Sequence, residues 1–212
     1  MQACKNDKVN LEVVALIMEN VSDVNVKDRY GRTALHFACE NGVDKDVVKY
    51  LLENGSVPNM KDSYGKNSLH FACETENPSH EVIKHLLSAG TDPNSKDIYR
   101  GFLSQPFPLF SFPTLNFFLL HVKGYTPLHA ACENENLETK TLQLLISKGA
   151  DVNLKTSMDS DALDLLITSR IPDVELINFM IKFGLKKSTA VEKASISIKN
   201  FFTPDFLPLT FF

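Results

Sequence analysis

The sequence predicts an all-α solenoid in which pairs of short helices stack side by side and are joined by β-hairpin fingers. A segment of the form K-D-x-Y-G-x-x-x-L-H-F-A-C-E occurs at residues 27–40 and again, 34 residues later, at residues 61–74. A third copy, G-Y-T-P-L-H-A-A-C-E, occupies residues 124–133. Each copy is followed by a helical pattern that ends in glycine. A unit this short cannot bury its own apolar face, so consecutive units must stack.

The first helix of each unit is predicted to begin after a residue that can cap it. The same position holds Thr33, Asn67, Thr126 and Asp161 in the successive units. Each of these side chains can accept a hydrogen bond from a free helix N–H group. Pro127 then stands at the first helical position, where its missing N–H group has no consequence. Leu35, Phe37 and Ala38 follow as a short apolar face.

The second helix of each unit is predicted from a single apolar stripe and a terminating glycine. Segments such as D-V-V-K-Y-L-L-E-N-G and E-V-I-K-H-L-L-S-A-G carry it. In the first of them the stripe consists of Val47, Val48, Leu51 and Leu52, at positions i, i+1, i+4 and i+5. The terminating glycines are Gly55, Gly90, Gly149 and Gly184, at a position that favours left-handed backbone. Further glycines, Gly31, Gly65 and Gly124, serve the tight turn before each cap.

The combined motif, D-x-x-G-x-T-P-L-H-x-A-C followed by V-V-x-x-L-L-x-x-G-A-D-V-N, resembles the ankyrin repeat. The resemblance covers about residues 3–184, apart from an insertion at residues 100–123. The first unit is partial, because residues 11–20 match only a second helix. The fourth is degenerate, since D-A-L-D-L-L replaces T-P-L-H-x-A and Asp164 stands in place of histidine. The resemblance implies an ankyrin-repeat solenoid that binds other proteins and has no catalytic residues.

The insertion separates the leader K-D-I-Y, at residues 96–99, from the rest of the third unit. Residues 101–122 contain no charged side chain unless His121 is protonated. Pro106, Pro108 and Pro113 argue against a membrane helix, and a span would separate adjacent units. We therefore expect the segment to protrude from a fingertip, where an insertion is tolerated. Its Phe, Leu, Ser and Pro content suggests a translated intron; the alternative is a docking loop of Phe and Leu anchors.

Residues 185–212, a polar segment followed by an apolar tail, are expected to be poorly ordered. Over the whole chain of 212 residues the formal net charge is −4, which argues against a nucleic-acid partner. The N-terminus carries no apolar leader, so we expect a cytoplasmic or nuclear location.

Four cysteines share one repeat position, which predicts small buried residues rather than disulfides; they are Cys4, Cys39, Cys73 and Cys132. The chain is expected to be a monomer without a cofactor.

One histidine per unit, namely His36, His70 and His129, could suggest a metal site or catalysis. The three lie about one repeat apart and do not converge, as zinc ligands must. The resemblance implies that each one hydrogen-bonds the neighbouring backbone and cap. The sequence also contains no phosphate-binding loop, no G-x-S-x-G elbow and no C-x-x-C pair. We therefore predict no metal site, no catalytic residue and no enzyme activity.

Two surfaces are predicted to contact a partner protein. The fingertip set comprises Arg29, Tyr30, Arg32, Ser63, Tyr64, Lys66, Ile98, Tyr99 and Tyr125. The inner-helix set, at the ends of the first helices, comprises Glu40, Asn41, Glu74, Glu76, Glu133 and Glu135. Tyrosine and arginine are frequent binding hot spots, although a tyrosine beside a turn glycine can instead pack on the next finger.

Stacked glutamates would form an acidic ladder, which predicts a basic segment in the partner, steered by its charge. An alternative remains open. The array could be the targeting part of a larger ankyrin-containing protein, such as a ubiquitin-ligase adaptor, a kinase or a channel.

Overall fold

A computed structural model describes residues 11–98, 124–169 and 174–186. Within these ranges the chain forms short helices joined by turns, and no β-strand is present. In chain order the helices are α1 (Leu11–Met18), α2 (Ala34–Glu40), α3 (Lys45–Glu53), α4 (Ser68–Glu74), α5 (His80–Ser88), α6 (Pro127–Glu133), α7 (Thr139–Ser147), α8 (Ala162–Ser169) and α9 (Val174–Lys182). The predicted all-α solenoid is confirmed.

The helices form two layers. Helices α2, α4, α6 and α8 contact one another in that order, and α1, α3, α5, α7 and α9 do the same behind them. The core lies between the layers and runs through every unit. Its centre is a column of leucines at one repeat position, none more than 1 % exposed: Leu35, Leu69, Leu128 and Leu163. Each unit therefore completes the core of its neighbours, as the short apolar faces require.

The predicted apolar stripe of the second helix is mostly buried. In α3 the side chains of Val47 and Val48 are fully buried and Leu51 is 1 % exposed. Leu52 is only half-buried, because it lies at the edge of the stripe. Three of the repeat-position cysteines are free thiols in the core, as predicted: Cys39, Cys73 and Cys132. Cys4 lies outside the described residues, as do residues 187–212 of the predicted poorly ordered segment.

Each finger closes through the same pair of hydrogen bonds. The Asp28 N–H group donates to the Arg32 carbonyl at 2.9 Å, and the Arg32 N–H group donates to Asp28 Oδ1 at 2.9 Å. The next finger repeats this pattern between Asp62 and Lys66, at 3.0 and 2.9 Å. Successive fingers are then joined by one backbone hydrogen bond each, such as the 2.8 Å hydrogen bond from Ser63 N–H to the Tyr30 carbonyl. Each of these fingers is thus closed at its tip by a tight turn.

The third finger closes in the same way across the insertion. The Asp97 N–H group donates to the Tyr125 carbonyl at 2.8 Å, and the Tyr125 N–H group donates to Asp97 Oδ1 at 2.6 Å. These residues are 28 positions apart in sequence, against four for Asp28 and Arg32. Residues 99–123 lie outside the described residues. The geometry of their flanks agrees with an insertion at a fingertip.

Close approach of the next finger explains the turn glycines Gly31 and Gly65. Gly31 has φ +75°, and a Cβ atom there would lie 3.1 Å from the Ser63 nitrogen. The fourth finger keeps the same shape without glycine. There Asp159 adopts φ +62°, and its carboxylate accepts a 2.7 Å bond from Lys155 Nζ. Aspartate tolerates the left-handed region better than most residues, so the degenerate unit still forms a finger.

The histidines lock the first helices to their caps and to the following finger. The Nδ1 atom of His36 accepts from the Thr33 N–H group at 2.9 Å, and that of His70 accepts from Asn67 N–H at 3.2 Å. The opposite nitrogen of His36 lies 2.9 Å from the Met60 carbonyl. Such a ring donates from Nε2 and is neutral. His129 repeats the arrangement, so the structural role implied by the family is confirmed.

The fourth unit substitutes a carboxylate for this histidine. The Asp161 N–H group donates to Asp164 Oδ2 at 3.0 Å, while Asp161 Oδ1 accepts from the N–H groups of Leu163 and Asp164 at 3.0 and 3.1 Å. Asp164 thus supplies the acceptor that Nδ1 supplies elsewhere. A carboxylate has no donor for a following finger, so only the capping half of the histidine's role is retained.

Acid should destabilise the array through these histidines. Burial lowers the pKa of His70 from 6.5 to about 3, and it lowers the pKa values of His36 and His129 as well. The unfolded chain therefore binds more protons below pH 6.5, so the stabilisation is complete above that pH and is lost as the pH falls toward the folded pKa. At about pH 5.5 the loss through His70 alone is about 1.4 kcal/mol.

Urea unfolding at about pH 7.5 and about pH 5.5 measures this loss of unfolding free energy. The substitution His70→Asn keeps an acceptor near the cap but does not titrate, so its loss between the two pH values should be smaller by about 1.4 kcal/mol. Equal losses in the variant and the unchanged chain would show that His70 is not the group that titrates.

Candidate protein-binding face

Apolar side chains project from the fingertips of successive units. Tyr30 is 38 % exposed and Tyr64 is 37 % exposed, while Ile98 reaches 56 % on the next finger. Met158 continues this row in the fourth unit and is 63 % exposed. We call these four residues, Tyr30, Tyr64, Ile98 and Met158, the fingertip column. Sequence reasoning missed Met158, although aligning K-T-S-M-D-S with K-D-R-Y-G-R places it at the position of Tyr30. Tyr99 lies outside the described residues.

Arginine side chains surround the first of these tyrosines. The guanidinium of Arg29 lies 4.7 Å from the centre of the Tyr30 ring, and that of Arg32 lies 5.5 Å from it. Arg32 also stacks 4.2 Å from the centre of the Phe37 ring. Such cation–π contacts hold long side chains in place. The Tyr30 ring is thereby positioned in advance while more than a third of its surface remains accessible.

The predicted acidic ladder is largely engaged within its own units. Arg32 Nη1 lies 3.1 Å from Glu40 Oε2, and Lys66 Nζ lies 2.6 Å from Glu74 Oε2. In the third unit a tyrosine takes the place of the base, because the Tyr125 hydroxyl donates to Glu133 Oε1 at 2.6 Å. In each of these three units the residue after the turn glycine thus reaches the glutamate at the end of the first helix.

This pairing changes the expected role of Tyr125. As a member of the fingertip set, Tyr125 was predicted to contact a partner protein, but the residue is only 3 % exposed. Its ring lies 5.7 Å from the His129 ring, inside the unit. The sequence places it beside a turn glycine like Arg32 and Lys66, whose long side chains are 20 % and 14 % exposed. An aromatic ring at that position packs inward instead, so Tyr125 is not available to a partner.

The other predicted contact residues differ in exposure. Ser63, Glu76 and Glu135 are exposed, whereas Asn41 is half-buried. The Asn41 side chain donates to the Phe37 carbonyl at 3.0 Å, which ties it to the end of α2. The structure therefore brings the fingertip column together along one edge of the solenoid. Contact of these residues with a partner stays a prediction.

A column of lysines on the finger stalks also went unnoticed in the sequence. Lys27, Lys61, Lys96 and Lys155 stand at the same position of successive fingers, and all four are exposed. Lys27 Nζ donates to the Lys61 carbonyl at 3.0 Å, Lys61 Nζ to the Lys96 carbonyl at 3.5 Å, and Lys96 Nζ to the Lys155 carbonyl at 2.9 Å. The K-D pair that recurs in the first three fingers indicated these lysines, but it was interpreted only as part of the repeat motif. We call these four residues the lysine column.

The described residues contain no group of three or more His, Cys, Asp or Glu side chains arranged to hold a metal ion. No helix within them is both long and apolar enough to cross a bilayer. The site that remains is an exposed edge of aromatic, apolar and basic side chains. Such an edge is suited to contact with another macromolecule.

The fold and this edge define a helical repeat solenoid with a binding surface. Two family comparisons agree with that description. A profile described as "Ankyrin repeats (3 copies)" matches residues 1–97, and one described as "Ankyrin repeat" matches residues 123–157. Together they span more than half of the chain, which belongs to the ankyrin repeat family. No curated protein matches the chain. Ankyrin repeats generally mediate protein–protein interaction, and the family is typically non-catalytic.

Proposed function

We propose that this protein is an interaction scaffold that binds a partner protein along its fingertips and inner helix ends, without catalysis of its own. The observation that carries the proposal is the fingertip column of exposed apolar side chains, which recurs from unit to unit. Tyr30, Tyr64 and Ile98 are each more than a third exposed although they adjoin a well-packed core. A partner that covered them would remove apolar surface from water, which favours binding.

The arrangement of the column suits an extended partner segment. Stacked units repeat about every 10 Å, the usual distance between packed helices, so successive fingertips can contact residues about three positions apart along one extended chain. The fingers are also tied to one another through bonds such as Ile98 N–H to the Tyr64 carbonyl, at 2.8 Å. A preorganised surface of this kind loses little conformational entropy on binding.

The structure alters the argument about the charge of the partner. A basic partner was expected because the inner-helix glutamates would form an unpaired ladder. Glu40 and Glu74 instead form ion pairs within their own units, so the negative charge of these two glutamates is already matched. The exposed Glu76 and Glu135 remain as a smaller acidic contribution. The alternative of a targeting part within a larger protein also stays a prediction.

A comparative capture experiment tests the proposal. The tagged chain retains a set of proteins from a cell extract, and a direct partner is then confirmed by titration with the purified protein. The double substitution Tyr30→Ala and Tyr64→Ala should weaken that binding by about tenfold or more, because hot-spot truncations usually exceed 1 kcal/mol each.

The outer helices offer a matched control. Lys49 and Glu53 form an exposed ion pair on α3, 3.9 Å apart, on the opposite layer from α2 and α4. Replacing both with alanine should leave partner affinity unchanged, because the pair lies on the opposite layer. The chain should also stay folded, since exposed ion pairs contribute little to stability. If the tyrosine variant binds as tightly as the unchanged chain, the fingertip column is not the binding surface.

A further inference from the structure

Most lysines of the lysine column form no ion pair with a carboxylate of the described residues, so their positive charge is not neutralised. Within the described residues Lys27, Lys61 and Lys96 form no ion pair, and each has a main-chain carbonyl as its hydrogen-bond acceptor. Lys155, the last member, differs because it pairs with Asp159. A carbonyl fixes the position of an ammonium group without neutralising it. Each ammonium has three donors, so at least two remain for a ligand.

The aspartates that adjoin these lysines in sequence are turned into the fingers. Asp62 is 7 % exposed and Asp97 is 2 % exposed. The carboxylate of Asp62 accepts bonds from the N–H groups of Tyr64 and Lys66, both at 2.9 Å. The two members of each K-D pair are thus separated, with the carboxylate inside the turn and the ammonium on the surface.

We infer that the lysine column binds an acidic, extended segment of a partner protein whose carboxylates recur at every third residue in a polyproline II conformation. This inference rests on the proposed function and specifies its partner. The partner segment is predicted to be negatively charged because most ammonium groups of the lysine column form no ion pair within the described residues. The glutamates had suggested the opposite, a basic segment.

The spacing of the partner's carboxylates follows from the stacking of the units. Neighbouring lysines are held one unit apart, about 8–10 Å when helices pack at their usual distance. A polyproline II chain rises about 3.1 Å per residue with three residues per turn, so every third side chain lies on one face about 9 Å further on. In a β-strand alternate side chains share a face, and the repeat would be about 6.6 Å. The lysine column therefore favours polyproline II over a strand.

A protein segment fits better than a nucleic acid. Each strand of duplex DNA places one phosphate about every 3.4 Å along the helix axis, so one lysine per unit would match about one phosphate in three. The chain also has a formal net charge of −4, which opposes a long polyanion. A segment with carboxylates only at every third residue has no unmatched charges between the lysines.

Two labelled peptides of equal composition test the inference by fluorescence anisotropy at low and at physiological ionic strength. One repeats the triplet Glu-Pro-Pro; the other carries all its glutamates in one block at one end. The triplet peptide should bind the full chain about fivefold more tightly than the block peptide, and added salt should weaken it because the contacts are exposed. Equal affinity for both peptides would overturn the inference.

Substitutions in the lysine column distinguish its charge from its hydrogen bonds. Lys61→Gln with Lys96→Gln should weaken the triplet peptide about fivefold, whereas Lys61→Arg with Lys96→Arg should retain binding because the charge remains. Lys49→Gln with Lys84→Gln is the matched control, since both lysines are exposed on the outer helices, and it should leave affinity unchanged. A control pair that weakens binding as much as the lysine-column pair would refute the assignment.

A single-stranded oligonucleotide serves as the competing polyanion. If it binds more tightly than the triplet peptide, the lysine column is a phosphate surface and the inference fails. If the triplet peptide does not bind while the captured partner still depends on Tyr30 and Tyr64, the inference fails and the proposed function stands. If the triplet peptide does not bind and the captured partner does not depend on Tyr30 and Tyr64, both the inference and the proposed function are rejected.

Discussion

Leu69→Ala is expected to lower the free energy of unfolding by about 2–5 kcal/mol, the usual range for a fully buried leucine. Leu69 is 0 % exposed, and its helix α4 packs between α2 and α6. The truncation removes buried methyl groups and leaves a cavity that three helices must close together. Because domains of this size are stable by only about 5–15 kcal/mol, the loss is a large part of the total. Urea unfolding followed by circular dichroism measures it.

Two further substitutions define the range of that effect. Leu35→Ala, at the same position of the preceding unit and 1 % exposed, should fall within the same interval. Leu16→Ala is the surface control, since Leu16 is 68 % exposed on α1 and a surface change is usually within about 0.5 kcal/mol. A loss below about 1 kcal/mol for Leu69→Ala would mean that the leucine column is not the core of the stack.

Deleting residues 100–123 is expected to leave the fold intact and to raise the free energy of unfolding. The deletion joins the flanks as K-D-I-Y-G-Y, so Asp97 and Tyr125 become four residues apart, as Asp28 and Arg32 are. Their two hydrogen bonds already exist across the insertion. Shortening the closed loop sevenfold is slightly under three halvings, which is worth about 1.7 kcal/mol. Removal of the many Phe and Leu residues of this segment should also improve solubility.

A deletion of equal length tests the register. Removing residues 101–124 instead leaves Arg100 in the place of Gly124, whose φ is +55°. Arginine in that left-handed conformation should make this variant about 1–2 kcal/mol less stable than the first deletion. Comparison of the two by urea unfolding separates loop length from turn geometry. If the first deletion unfolds the chain, the third unit has been aligned wrongly.

The sequence was most informative where one unit could be compared with another. Thr33 and Asn67 were predicted as caps because the same position always carries an acceptor, and both begin helices as expected. Helix capping and turn formation depend on residues within one turn of each other, so a local pattern is sufficient to predict them. The K-D-I-Y leader likewise located the insertion, and the Asp97–Tyr125 bonds agree with that location.

Side-chain partners across the turn were not predicted. Arg32, Lys66 and Tyr125 occupy one repeat position, and all three were expected to face a partner. Their shared attachment to a first-helix glutamate eight residues away becomes visible only once the finger folds back on the helix. Whether the attachment is an ion pair or a hydrogen bond from a hydroxyl then depends on the length and polarity of the side chain.

By itself the sequence determined the family, the order and register of the units, the caps and the place of the insertion. These features follow from periodic residue types and short-range backbone chemistry, which each unit carries within its own residues. Tertiary structure alone decided which charges remain on the surface. Glu40 is matched within its unit, while Lys61 is held by a carbonyl one unit away. Charge balance depends on distances between side chains of folded and stacked units, and the linear order of residues does not contain those distances.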